Sequence, residues 1–257
     1  MPTLNRDGVN LYYEVHGDGP VLLLTHGFAS TSQMWRDQIG PLSRAWKLVL
    51  WDMRGHGRSD APADPGAYGE AATVADIGAL LDAVAAKHAV VGGMSLGGYM
   101  ALAFYSAHAE RVRALLLVDT GPGFRKDQAR EDWNQYACSL GDDFERDPVT
   151  TLASRGVEAR TSLHLAPRGL AHVARRMLTQ RDASVMESLA TIAVPTLVVV
   201  GADDLPYLGA ADYMAGKIAG AAKVVIADAG HAANVDQPAA FNAAALAFLG
   251  SLPGAPG

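Results

Sequence analysis

Short runs of β-branched and leucine residues recur along the chain. Each is closed by a glycine-rich turn, and most are followed by a longer stretch whose apolar positions fall at helical spacing. The runs predict strands over residues 11–16, 21–26, 48–52, 89–94, 114–119, 196–201 and 223–227. The later runs are almost unbroken hydrophobics, as expected of parallel strands covered on both faces. Between them, Val74, Ile77, Leu80, Leu81 and Val84 mark the buried stripe of one helix, and Phe241, Ala244, Ala245 and Phe248 that of another. Such alternation predicts an α/β fold, a mostly parallel twisted sheet with helices on both faces.

The rhythm breaks over residues 123–193. There the apolar positions, such as Leu170, Val173, Met177 and Leu178, have helical spacing only, and no strand candidate appears. The pattern predicts a helical cap at 123–193 inserted into a core made of 1–122 and 194–257, and 257 residues are enough for one such domain. A Pro- and Gly-rich tail after Leu252 is expected to fray.

Composition narrows the function classes. Hydrophobic residues make up 49% and charged residues 19%, an ordinary globular balance. With 21 Lys and Arg against 27 Asp and Glu, a net charge of −6 and no basic run interleaved with aromatics, a nucleic-acid partner is not expected. Cys138 is the sole cysteine, which excludes an internal disulfide and fits a reducing compartment. The first residues lack the basic-then-apolar pattern of a signal peptide, and the apolar runs are too short to span a bilayer. The expectation is a cytoplasmic protein with no membrane partner.

Gly93-Met94-Ser95-Leu96-Gly97 matches G-x-S-x-G between a predicted strand and a helix whose apolar face includes Met100, Ala101 and Phe104. That context is the one a nucleophile elbow requires. A strained turn would hold Ser95, so the residues two before and two after must be small, and the helix beginning at Leu96 would aim free N–H groups at a developing oxyanion. His231 follows the last strand across Asp228-Ala229-Gly230. It should therefore lie with Ser95 at the carboxyl edge of the sheet, where a neutral imidazole can take the serine proton. His26, also at a strand end, is the rival base and a candidate substrate contact, although Gly27 and Phe28 beside it suit an oxyanion loop. Asp203 and Asp204, at the end of the strand over 196–201, and Asp119, closing an earlier one, are the candidate acids. Spacing does not separate the adjacent pair. His164 and His172 in the cap either touch substrate or face solvent. The other histidines fall at strand ends, helix ends and loops.

These pieces together resemble the α/β-hydrolase superfamily over nearly the whole chain outside the cap. The resemblance is carried by His26-Gly27-Phe28, by Asp52-Met53-Arg54-Gly55-His56-Gly57-Arg58-Ser59 and by the elbow at Ser95. Val194-Pro195-Thr196-Leu197, Gly201-Ala202-Asp203-Asp204, Gly230-His231 and the order nucleophile, acid, histidine complete it. Within the superfamily the chain is similar to the small capped serine esterases, enol-lactonases and haloperoxidase-type members. The resemblance implies Ser95 as nucleophile, His231 as base, Asp204 as acid, and the backbone N–H groups of Phe28 and Leu96 as the oxyanion hole. Serine in the elbow argues against epoxide hydrolase and haloalkane dehalogenase chemistry.

The implied activity is cleavage of a small to medium carboxylic ester or lactone through an acyl-enzyme. The partner would be a small-molecule acyl substrate, and neither metal nor organic cofactor is called for. Carbon–carbon bond hydrolysis and cofactor-free haloperoxidase or perhydrolase chemistry use the same triad, and a ligand-binding receptor with residual hydrolase activity is the alternative of another class. The cap should control substrate choice. Trp133, Tyr136, Leu163, Met177 and Met186 are the candidate apolar lining, with packing inside the cap as their alternative role. Arg175 and Arg176 could hold a substrate carboxylate or simply face solvent.

Overall fold

The computed structural model of the chain describes residues 3–255. Eight strands form one sheet: β1 (Thr3–Arg6), β2 (Val9–His16), β3 (Val21–Thr25), β4 (Lys47–Trp51), β5 (Ala89–Met94), β6 (Val112–Val118), β7 (Thr196–Gly201) and β8 (Ala222–Ile226). Their order across the sheet is β1-β2-β4-β3-β5-β6-β7-β8. The first two pairings are antiparallel and the others parallel. All seven predicted strands are present with ends within two residues of expectation. The eighth, β1, has no β-branched run to betray it. It forms because Asp7 and Gly8, both at positive φ, close a two-residue hairpin turn onto β2.

The helices are α1 (Arg36–Leu42), α2 (Glu70–Ala83), α3 (Leu96–Ala107), α4 (Asp127–Arg146), α5 (Pro148–Ala153), α6 (Val157–Arg160), α7 (Gly169–Val173), α8 (Ser184–Ser188), α9 (Leu205–Lys217), α10 (Ala233–Asp236) and α11 (Pro238–Ser251). Every residue of β3, β5 and β7 is buried because helices cover both faces. Alternate residues feed opposite cores. Leu23, Val49, Val91 and Leu115 pack with Ile77 and Leu80 of α2 and with Met100 and Phe104 of α3. Leu22, Leu48, Val90 and Leu116 pack with Leu42 of α1 and with Phe241 and Leu249 of α11.

No strand interrupts the described chain between Val118 and Thr196. This stretch carries α4 to α8, with a π turn at Ala174–Leu178 continuing α7. Its apolar residues Ala137, Phe144, Leu170 and Val173 belong to the same cluster as Val74, Met100 and Tyr99, so the helical segment shares a core with the sheet. Among the described residues no helix is long and apolar enough to cross a membrane.

Candidate active site

Ser95 is the single residue between β5 and α3, with φ 51° and ψ −117°. Such a backbone costs on the order of 1–3 kcal/mol for a residue with a Cβ, so the surroundings must enforce it. The Ser95 N–H donates to the Val118 carbonyl at 2.9 Å. The Ser95 carbonyl accepts from the Tyr99 N–H at 3.0 Å and from Thr120 Oγ1 at 2.6 Å. The expected need for small neighbours holds. A Cβ on Gly93 would strike the backbone of Gly97 and Thr25, and one on Gly97 would strike the carbonyls of Thr25 and His26.

The loops after β7 and β8 bring the other two groups to the serine. His231 Nε2 lies 3.0 Å from Ser95 Oγ and His231 Nδ1 lies 2.8 Å from Asp204 Oδ2. A carboxylate only accepts, so Nδ1 carries the proton and the Nε2 lone pair faces the hydroxyl. Burial lowers the His231 pKa, but the hydrogen bond and charge of Asp204, with Asp119 beyond it, bring it out above the ordinary imidazole value. The adjacent carboxylates separate cleanly. Asp204 is buried, whereas Asp203 faces solvent and its N–H donates to the Ala229 carbonyl. Asp119 makes no hydrogen bond to His231. Its fully buried carboxylate accepts from the Gly201 N–H and the Ala233 N–H, both at 2.8 Å, stapling the acid-bearing loop to the histidine-bearing one. Burial pushes the Asp119 pKa up to about 6, against the pull of those two N–H groups.

The model of the alpha/beta hydrolase fold family matches residues 20–137. The chain is 26% identical over 251 residues to 3-oxoadipate enol-lactonase 1 of Acinetobacter baylyi, covering 92% of both chains. It superposes on an enol-lactonase from Burkholderia xenovorans with a TM-score of 0.79 at 26% identity, covering 97% of this chain and 100% of the other. A thermophilic esterase from Thermogutta terrifontis gives a TM-score of 0.82 at 27% identity and 97% of each chain. The chain has the α/β-hydrolase fold. It is an enzyme, a hydrolase of that fold.

In this α/β-hydrolase the loop at Asp52 to Ser59 is a brace for the loop after β3. Asp52 accepts from the N–H groups of Ser32 and Arg58, at 2.7 and 2.9 Å. His56 Nε2 accepts from the Ala29 N–H, and His164 Nε2 donates to the Ala29 carbonyl. The segment is thereby fixed with the Phe28 N–H uncommitted among the described residues. Leu96, as the first residue of α3, likewise has an N–H with no intrahelical acceptor.

Two chambers meet at Ser95. The first, about 350 Å³, is mainly apolar, with Leu96, Pro122, Phe124, Trp133, Leu178 and Tyr207 in its wall. The second, about 340 Å³, is more polar and takes in Phe28, Tyr136, Arg155, Glu158 and His231. Trp133 is in the wall of both chambers and Tyr136 in that of the second, in a row with Phe124 at ring separations of 5.8 and 5.5 Å.

Other expectations need correction. His26 is neither base nor substrate contact: it is fully buried, with Nε2 accepting from the Met53 N–H and Nδ1 donating to the Gly27 carbonyl. Burial also lowers its pKa to about 4, so the ring stays neutral. Met177 points into the core, and Leu178 takes the pocket wall instead, because the π turn rotates the following residue away from the 3.6-residue phase. Leu163 is exposed, and Met186 is partly buried away from both chambers. His164 ties the helical segment to the core through Gly57 and Ala29, and His172 packs on Tyr68. Arg175 bonds Asp142 and Glu145, and Arg176 is exposed.

Tyr207, Gln180, Arg155 and Glu158 are the principal polar lining residues that sequence reasoning missed, beside apolar ones such as Phe124 and Leu178. Tyr207 stacks on His231 with ring centroids 4.6 Å apart and lines both chambers beside Ser95. Its spacing of three from Asp204 on a helix start was the available clue. Among the described residues no cluster of three His, Cys, Asp or Glu side chains could hold a metal ion.

Proposed function

We propose that the protein is a serine hydrolase that cleaves small to medium carboxylic esters or lactones through an acyl-enzyme. The observation that carries this reading is the pair of hydrogen bonds running from Asp204 through His231 to Ser95. His231 takes the hydroxyl proton as Ser95 Oγ attacks the carbonyl carbon, and the N–H groups of Phe28 and Leu96 receive the negative oxygen. Asp204 holds the tautomer and stabilises the imidazolium. His231 then protonates the leaving oxygen, so the alcohol portion belongs in the second chamber, where His231 sits, and the acyl portion in the apolar one. Water repeats the steps and frees the acid. The helical segment over residues 123–193 supplies much of the wall and so sets the substrate range.

The enol-lactonase named above brings lactones into the panel to be tested. The protein is treated with a fluorophosphonate probe, the labelled peptide is mapped, and kcat/KM is measured for p-nitrophenyl esters of rising acyl length and for simple lactones. Labelling at Ser95 with turnover of at least one series is expected. A protein that neither labels at Ser95 nor turns over any of them is not a serine hydrolase of this kind.

A further inference from the structure

Among the polar side chains on the wall of the apolar chamber, one keeps a donor with no acceptor among the described residues. Most polar side chains on its wall are already committed: Tyr99 Oη donates to Glu70 Oε2 at 2.8 Å, Thr120 Oγ1 to the Ser95 carbonyl, and Trp133 Nε1 to the Leu178 carbonyl at 2.8 Å. Tyr207 packs its ring on His231 beside Ser95. Gln180 differs. Its backbone is locked by Asn134, whose Oδ1 accepts from the Gln180 N–H and whose Nδ2 donates to the Gln180 carbonyl, both at 2.8 Å. Its side-chain Oε1 accepts from the Phe124 N–H at 3.1 Å, which fixes which end of the amide is oxygen. The amide also lies so close to Gly123 that a Cβ there would collide with Oε1. The Nε2 group is thereby left with two hydrogens and, among the described residues, no acceptor, on a residue 9% exposed that lines the chamber.

A donor held in place in an apolar wall, and facing the chamber with no protein acceptor, is a specificity element. We propose that Gln180 reads a neutral hydrogen-bond acceptor, such as a keto, ether or hydroxyl oxygen, on the acyl portion of the substrate. This rests on the ester or lactone hydrolase reading and names the substrate class within it. A carboxylate is the wrong acceptor here: no lysine or arginine lines this chamber, and Glu70 stands behind Tyr99.

The test compares p-nitrophenyl 4-oxopentanoate and 5-oxohexanoate with the pentanoate and hexanoate, and with the anionic hemisuccinate. It uses the wild type, Gln180→Glu, which keeps an acceptor for the Phe124 N–H, and Gln180→Met, which removes both functions. For the wild type, at least one oxo ester should exceed its alkyl partner by about tenfold in kcat/KM, and the hemisuccinate should be the poorest. In the variants that ratio should fall to about 1 or below, whatever happens to the absolute rates. A wild-type ratio near 1 for both pairs, a preference for the hemisuccinate, or a ratio unchanged in both variants overturns the proposal. The wild-type ratios stand by themselves should a variant fail to fold. Turnover without discrimination sinks only this inference, whereas no turnover and no Ser95 labelling sinks the hydrolase reading beneath it.

Discussion

The carboxyl edge of the sheet and the helical segment above it are held together by different means. At the edge, each loop is pinned by buried bonds to the backbone: Asp119 joins Gly201 to Ala233, Asp52 joins Ser32 to Arg58, and Thr120 closes on Ser95. The helical segment is built from pieces, several of only four to six residues, joined in part by pairs such as Arg175 with Asp142 and Glu145 whose acidic partners lie in solvent. Bonds from a buried charge to an amide contribute about 1.5–3 kcal/mol each, against about 0–1 kcal/mol for an exposed ion pair. Reacting atoms must be held within tenths of an ångström. A substrate pocket tolerates a looser frame, and that is where this chain places its irregular helices.

The comparison can be broken at its strongest point first. Ser95→Ala should lower kcat for any ester substrate by a factor on the order of 10⁶, leaving the melting temperature unharmed because the strained backbone is relieved of nothing it needs. Asp204→Asn should cost roughly 10⁴ in kcat, since the amide favours the wrong tautomer, while the exposed Asp203→Asn should cost little. The same pair of variants tests the proton. Activity needs neutral His231, so kcat/KM falls as pH drops through a value above the ordinary ~6.5 of an imidazole, and losing the Asp204 charge should move that limb to lower pH. A limb that stays in place would mean that another group titrates.

On the helical side, Met177→Ala should cost about 2–5 kcal/mol of stability without reordering ester preferences, because that side chain is core. Trp133→Ala should do the reverse and change the ranking. Asp119→Asn places an amide N–H against one of two backbone N–H groups and should cost about 1–3 kcal/mol, with a fall in kcat as both loops loosen. Arg175→Ala closes the series at under about 1 kcal/mol with kcat unchanged. Should Arg175→Ala equal Asp119→Asn in a denaturant titration, the contrast between the two regions would fail.

The strands were legible because burial on both faces forces nearly continuous hydrophobics, as in Leu115 to Val118 and Leu197 to Val200. Gly93 and Gly97 announced the tight turn, and His231 its place at a strand end. What could not be read depends on atoms distant in sequence. Nothing near His26 reveals that the Met53 N–H comes to its ring, and nothing near Asp119 reveals the Ala233 N–H. Adjacent Asp203 and Asp204 differ only in what the β8 loop does, since the Ala229 carbonyl takes the first residue's N–H and His231 takes the second residue's carboxylate. Periodicity groups Met177 with Leu178 and does not tell which one faces the pocket, because it assumes an α-helix where the chain makes a π turn.

One cluster of side chains runs without interruption from Val74 and Tyr99 through Val173 to Phe144 and Leu170. The upper helices are therefore mortared to the sheet and not hinged upon it. Substrate then reaches the half-buried Ser95 past the aromatic side chains that line its chambers, Tyr136 and Trp133 foremost, with no swing of the upper helices. A calorimetric scan should register sheet and helices surrendering their order in one cooperative step.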